Sequence, residues 1–131
     1  IAAHPGCTLQ DAVQLAVLMK QGGWKPEQVQ LFLPSPGSKS TCMYYTGLNP
    51  DDGQPVYVAK NRDEREMQRA LLLFSQPEQQ PLVRKALQKA GREDLIGWGR
   101  QYLVPPAGEP PQTRRSNRNK HRPLQSQRRR P

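Results

Sequence analysis

Ile1-Ala2-Ala3-His4-Pro5-Gly6-Cys7-Thr8, read together with Val29-Gln30-Leu31-Phe32-Leu33-Pro34-Ser35-Pro36, decides the expected fold. The first string is a short apolar run that breaks at a Pro-Gly turn. The second is an apolar run of strand-forming residues halted by two prolines. Between them Thr8 is a good N-cap with Asp11 three residues on, a capping-box pattern with Asp in place of Glu. Apolar residues recur at Ala12, Leu15, Ala16 and Met19, widened by Val13 and Val17, and Gly22-Gly23 supplies the stop. Strand, helix and strand within about 33 residues is the size of one βαβ unit, with its right-handed crossover. The predicted fold class is therefore α/β, or mixed α+β for these residues taken alone. A single unit of this kind cannot be a whole parallel sheet, and the chain opens on Ile1, so it reads as a piece of a longer protein.

Working outward, residues 38–46, closed by Gly47, fit either a short helix capped by Ser38 or an extended segment favoured by Tyr44-Tyr45-Thr46. Val56-Tyr57-Val58 reads as a short strand. Asp63, with Glu66 at the third position, is expected to cap a helix whose face carries Met67, Ala70, Leu71 and Phe74. A second helix is expected from Pro81 along Leu82, Val83, Ala86, Leu87 and Ala90 to Gly91. Pro77 separates the two, which predicts an antiparallel helical pair. One more helical turn is expected over residues 92–97, then an irregular closing segment to Val104.

Charge marks the other boundary. Residues 1–104 hold 12 Lys/Arg against 10 Asp/Glu, whereas residues 105–131 hold 8 against 1, with six of the 14 prolines and no aromatic residue. Such a segment buries too little apolar surface to offset its ordering entropy and is predicted to be disordered. Its arginines suit non-specific phosphate contacts with nucleic acid, or simply a solvated terminus. Lacking an aromatic side chain, the tail has nothing with which to stack on bases.

The longest strongly apolar stretch, Leu15 to Met19, is far below the roughly 20 residues of a membrane-spanning helix. No charged leader with an apolar run and cleavage site is visible, and Cys7 and Cys42 do not make a disulfide scaffold, so a reducing cytoplasm is expected. Motifs for metal or nucleophilic chemistry are missing: there is no CxxC, HExxH or GxSxG, and His4 and His121 are the only histidines. No catalytic residue and no metal ligand is assigned. His4, Pro5 and Gly6 at one predicted strand end, and Pro34 and Ser35 at the other, are expected to line one cavity, because ligands of parallel α/β folds gather at the carboxyl ends of strands. The first turn taken alone reads first as a plain strand-to-helix connection, and Cys7 either as a helix-entrance thiol of lowered pKa or as a small buried residue.

Four ordered strings carry a resemblance: Ile1-Ala2-Ala3-His4-Pro5-Gly6-Cys7; Glu27-Gln28-Val29-Gln30-Leu31-Phe32-Leu33-Pro34-Ser35-Pro36; Ser40-Thr41-Cys42-Met43-Tyr44-Tyr45-Thr46-Gly47; and Ala90-Gly91-Arg92-Glu93-Asp94-Leu95-Ile96-Gly97. Over residues 1–104 the chain resembles the carboxyl-terminal region of the YgiQ-type radical SAM protein family. The resemblance implies a parent enzyme in which a CxxxCxxC loop holds a 4Fe-4S cluster and S-adenosylmethionine binds the fourth iron. It implies that residues 1–36 are the last strand–helix–strand of a partial (β/α) barrel, residues 37–104 a small helical accessory region, and residues 105–131 a basic tail beyond the similarity. His4, Pro5, Gly6, Pro34 and Ser35 would then face cofactor and an unknown substrate, and the upstream barrel would be the chain's partner. The cluster cysteines are not among these residues, so the fragment alone is expected to be inactive. The competing expectation is a non-enzymatic basic adaptor that binds RNA or another polyanion through the arginine-rich tail.

Overall fold

In a computed structural model, which describes residues 1–110, the chain forms four α-helices joined by extended and 3-10 segments. The helices are α1 (Leu9–Gln21), α2 (Lys39–Thr46), α3 (Arg62–Leu72) and α4 (Gln80–Lys89), with single 3-10 turns at Pro77–Gln79 and Glu93–Leu95. The expectation for residues 111–131 lies outside the described residues.

The α/β expectation is overturned. Among the described residues no strand forms, and the strand–helix–strand end of a (β/α) barrel is replaced by one parallel bridge, Ala2 to Leu31. The ladder there is two hydrogen bonds long: Ala2 N–H donates to Gln30 O at 2.7 Å and Phe32 N–H to Ala2 O at 2.8 Å. Two local causes stop it. Ala3 takes a left-handed conformation (φ 56°), which turns the chain away immediately after the bridge. The segment at residues 27–32 is meanwhile held by side chains that occupy its carbonyls: from α3, Arg65 on Phe32 and Arg69 Nε on Val29 at 2.9 Å, and from just beyond α3, Gln76 Nε2 on Glu27 at 2.8 Å. The third expected strand, at residues 56–58, likewise does not form. Leu48 and Pro55 make a single antiparallel bridge, and Tyr57 O accepts from Gly6 N–H at 2.7 Å.

The helices form for the reasons read from their sequences, with one change. Thr8 and Asp11 close a full capping box on α1, and Asp11 is held below the usual carboxylate range by the Thr8 backbone N–H and hydroxyl. The α1 stop is a Schellman motif in which Trp24 N–H reaches Met19 O and Gly23, at φ 74°, reaches Lys20 O. Residues 38–46 resolve as helix, because the Ser38 hydroxyl accepts from Thr41 N–H and Gly47 takes the left-handed cap. In α3 the cap is Asn61, not Asp63: the Asn61 carboxamide accepts from Asp63 N–H at 2.8 Å.

Helix α3 lies between α1 and α4 and contacts both. One core joins Leu9, Val13 and Ala16 of α1 to Met67 and Leu71 of α3 and to Val83 and Leu87 of α4. Leu103 and Val104 close it from the C-terminal segment, where Leu103 N–H donates to Leu95 O at 2.8 Å and Gly97 N–H to Val104 O at 3.0 Å. Burying each of these large aliphatic side chains contributes about 1.5–3 kcal/mol. The concave surfaces this arrangement leaves include one beside the N-terminal turn and one at the far end of α1.

Candidate functional site

The N-terminal turn is built on two unusual backbone conformations, Ala3 and Gly6 (φ 92°), and closes with Cys7 N–H donating to His4 O at 3.0 Å. It leaves Pro5 buried and His4 at the surface. The His4 imidazole sits edge-on to the Phe32 ring, centroids 5.2 Å apart, and Phe32 in turn packs against Tyr44 of α2 at 5.8 Å. Nδ1 of His4 lies 2.9 Å from Pro5 O, and Nε2 lies 2.8 Å from the Ser40 hydroxyl. A carbonyl only accepts, so Nδ1 carries the proton of the neutral ring. Nε2 is left as the acceptor for Ser40 Oγ–H. The arrangement holds the Ser40 hydroxyl against an imidazole whose neutral tautomer is set by the backbone, and it leaves the hydroxyl oxygen's lone pairs to accept from a bound polar group.

His4 and Ser40 border an open recess of about 370 Å³ with Phe32, Leu33, Ser35 and Ser38. Ser38 is committed to the α2 cap, and its hydroxyl donates to Thr41 Oγ1 at 2.8 Å. Ser35 is tied to the same network through its backbone, its N–H reaching Thr41 Oγ1 at 2.9 Å. Of the five residues singled out from the sequence, His4 and Ser35 line the recess. Gly6 gives its N–H to Tyr57 O, Pro5 is packed inside, and Pro34 is half-buried on the adjoining loop. Ser40, the residue that His4 touches, was not among them. The signal for it was the helix alternative for residues 38–46, which places Ser40 in the first turn.

The cysteines do not fit an iron–sulfur ligand set. Burial, assisted by the Asp11 charge, pushes the Cys7 thiol up, and its S–H points at Thr8 O, whereas a ligand must be a thiolate. Cys42 is exposed on α2, and no group of three or more His, Cys, Asp or Glu gathers among the described residues. The turn carboxylates are structural: Asp51 pairs with Lys39 at 2.6 Å and Asp52 caps Gln54 N–H. No helix of the described residues is long and apolar enough to cross a membrane.

These features define a small helical module with a hydroxyl-lined recess. Residues 27–130 match the family model described as "Domain of unknown function (DUF3362)", and the chain belongs to that family. It is 57% identical over 106 residues to a UPF0313 protein of Methanocella arvoryzae, a match covering 81% of this chain and 18% of that protein. A UPF0313 protein of Clostridium botulinum is 53% identical over 105 residues, covering 80% and 16%, and one of Methanosarcina acetivorans 49% over 104 residues, covering 79% and 14%. The chain thus spans less than a fifth of the length of these curated relatives. No solved structure matches it.

Proposed function

We propose that the chain is a module of a radical SAM iron–sulfur protein in which the 4Fe-4S cluster and S-adenosylmethionine are held by residues outside this chain, and that the His4–Ser40 recess forms part of the substrate-side wall. One observation carries the reading: the hydrogen bond between His4 and Ser40 joins two of the four strings that carry the resemblance, across 36 positions of sequence. Two motifs that meet at a solvent-open recess, with a polar pair on its border, support contact with a ligand. The small share of the long relatives that the chain covers leaves ample room for cluster ligands elsewhere. A reducing cytoplasm, in which Cys7 and Cys42 stay thiols, is the setting this reading needs.

The test uses the full-length Methanocella arvoryzae relative, purified without oxygen. It is expected to show iron–sulfur absorbance and to release 5′-deoxyadenosine from S-adenosylmethionine, while the 131-residue chain does neither. A colourless relative that stays inactive after iron and sulfide reconstitution overturns the radical SAM assignment. Replacing the relative's counterpart of His4 by Ala is expected to leave the absorbance intact and change the rate of 5′-deoxyadenosine release. An unchanged rate removes the recess from the site.

A further inference from the structure

The second concave surface lies at the other end of α1 and takes no part in the reading above. It is a cleft of about 650 Å³, in the range of small-molecule and nucleotide sites, bordered by Lys20, Trp24, Lys25, Phe74, Arg100 and Leu103. Three of these are cations, and no acidic side chain lines the cleft. Lys20 is the structural member: its ammonium donates to Tyr102 O and, at 3.1 Å, to Leu103 O, which fixes the closing segment as one wall. Neither Lys25 nor Arg100 enters an ion pair among the described residues, so their charges face the cleft uncompensated.

Trp24 is the unexpected residue. It occupies the position after the left-handed Gly23 in the Schellman motif, where an apolar side chain ordinarily folds back onto the last turn of the helix. Its backbone is locked there by the 2.8 Å bond to Met19 O, yet the side chain is 70% exposed. A large rigid indole held open to solvent beside two free cations is suited to a ligand with a flat π-face and a negative charge. The chain also leaves this cleft at Pro105 into residues 105–131, which carry 8 Lys/Arg against 1 acidic residue and no aromatic. The composition of residues 105–131 suits phosphate contact without stacking, and the cleft at their root holds the aromatic side chain they lack.

We propose that the Trp24 cleft binds a base-and-phosphate unit of single-stranded nucleic acid, with the base stacked on Trp24 and the phosphate met by Lys25 and Arg100. A basic groove combined with an aromatic platform is how proteins hold single strands without reading sequence. An acidic peptide uses the cations and leaves the indole idle, and a lipid surface does not require a concave, cationic wall.

The experiment is a fluorescence titration of the 131-residue chain carrying Trp98→Phe, so that Trp24 is the sole indole, with oligouridylate, uridine monophosphate and heparin as probes. Oligouridylate is expected to quench Trp24, with an affinity that falls by roughly 0.7 log unit per log unit of salt for each phosphate engaged. Trp24→Leu, read by anisotropy of a labelled oligouridylate, is expected to weaken binding roughly 5- to 150-fold. Because Trp24 is exposed, circular dichroism of that variant should match the parent. Lys25→Glu with Arg100→Glu reverses the sign of the cleft without touching the indole and is expected to cost about tenfold or more. Quenching by uridine monophosphate at comparable affinity identifies a free nucleotide as the source of the same chemistry. Removal of residues 111–131 should reduce the salt slope and leave the quenching. Heparin that competes fully while Trp24→Leu binds oligouridylate as the parent does, or quenching that vanishes with the tail, overturns the cleft and leaves a tail that binds any polyanion.

Discussion

At the scale of single residues, three positions have consequences out of proportion to their size. Thr8 and Asp11 satisfy each other's backbone at the start of α1, Thr8 N–H donating to Asp11 Oδ2 at 2.9 Å and Asp11 N–H to Thr8 Oγ1 at 3.2 Å. Thr8→Ala is expected to cost about 1 kcal/mol, read as a lower urea midpoint. Asp11 adds a pH dependence. Its folded-state pKa lies below the unfolded one, so its stabilisation is present above the ordinary carboxylate pKa and is lost as pH falls through the lowered value. Asp11→Asn should therefore flatten the acid side of a plot of thermal midpoint against pH; an unchanged acid limb would contradict the box. The other position is Gly97. A Cβ there would lie 2.7 Å from three ring carbons of Tyr102, including Cγ, which the ring cannot escape by a distal rotation. Gly97→Ala is expected to destabilise by about 1–3 kcal/mol. Because Lys20 grips the carbonyls of Tyr102 and Leu103, the same change should raise the exchange of amides at residues 102–104 before global unfolding.

At the scale of elements, α3 replaces the missing sheet. An extended segment at residues 27–32 has a single bridge to pair with, and the side chains of Arg65, Arg69 and Gln76 occupy carbonyls that a neighbouring strand would otherwise take. Arg69→Ala is expected to cost about 1 kcal/mol, the low end for a charged donor because its side chain is 40% exposed. Amide exchange at Phe32 and Ala2 should rise with it; equal protection would mean that the bridge stands without α3. The same contacts explain what could be read beforehand. Helices α1 and α4 were legible because their apolar spacing and caps are local, down to Thr8 and Gly91. The strand at residues 29–33 was not, because period and propensity report that a segment is extended and say nothing about its partner. Asn61 was missed as the α3 cap because Asp63 and Glu66 offered a better-looking box two residues later. The recess was half legible: His4 and Ser35 follow from the turns, but Ser40 depended on an unresolved choice between helix and extension. Trp24, Lys25 and Arg100 meet across some 75 positions, a proximity no local pattern encodes.

At the scale of the whole molecule, α3 is where the two halves of the core are joined, and its Leu71 is fully buried between the α1 and α4 faces. Deleting its isopropyl group removes contacts from both sides at once, and a site packed from opposite directions has little freedom to collapse on the void. Leu71→Ala is accordingly expected at about 2–5 kcal/mol, a large fraction of the roughly 5–15 kcal/mol that stabilises a domain of this size. With a urea slope of about 1–3 kcal/mol per molar, the midpoint should fall by on the order of 1–2 M. Leu18→Ala, on the 56% exposed outer face of α1, should stay within about 0.5 kcal/mol of the parent. The sharper outcome concerns cooperativity. If α3 couples α1 to α4 as one core, helical circular dichroism and tryptophan fluorescence, which reports from Trp24 and Trp98 near the ends of the packed region, must lose signal at a single midpoint in both the parent and Leu71→Ala. Two separate midpoints in the parent would show that residues before and after position 36 unfold independently, and the shared core would not be what holds the recess and the cleft in place.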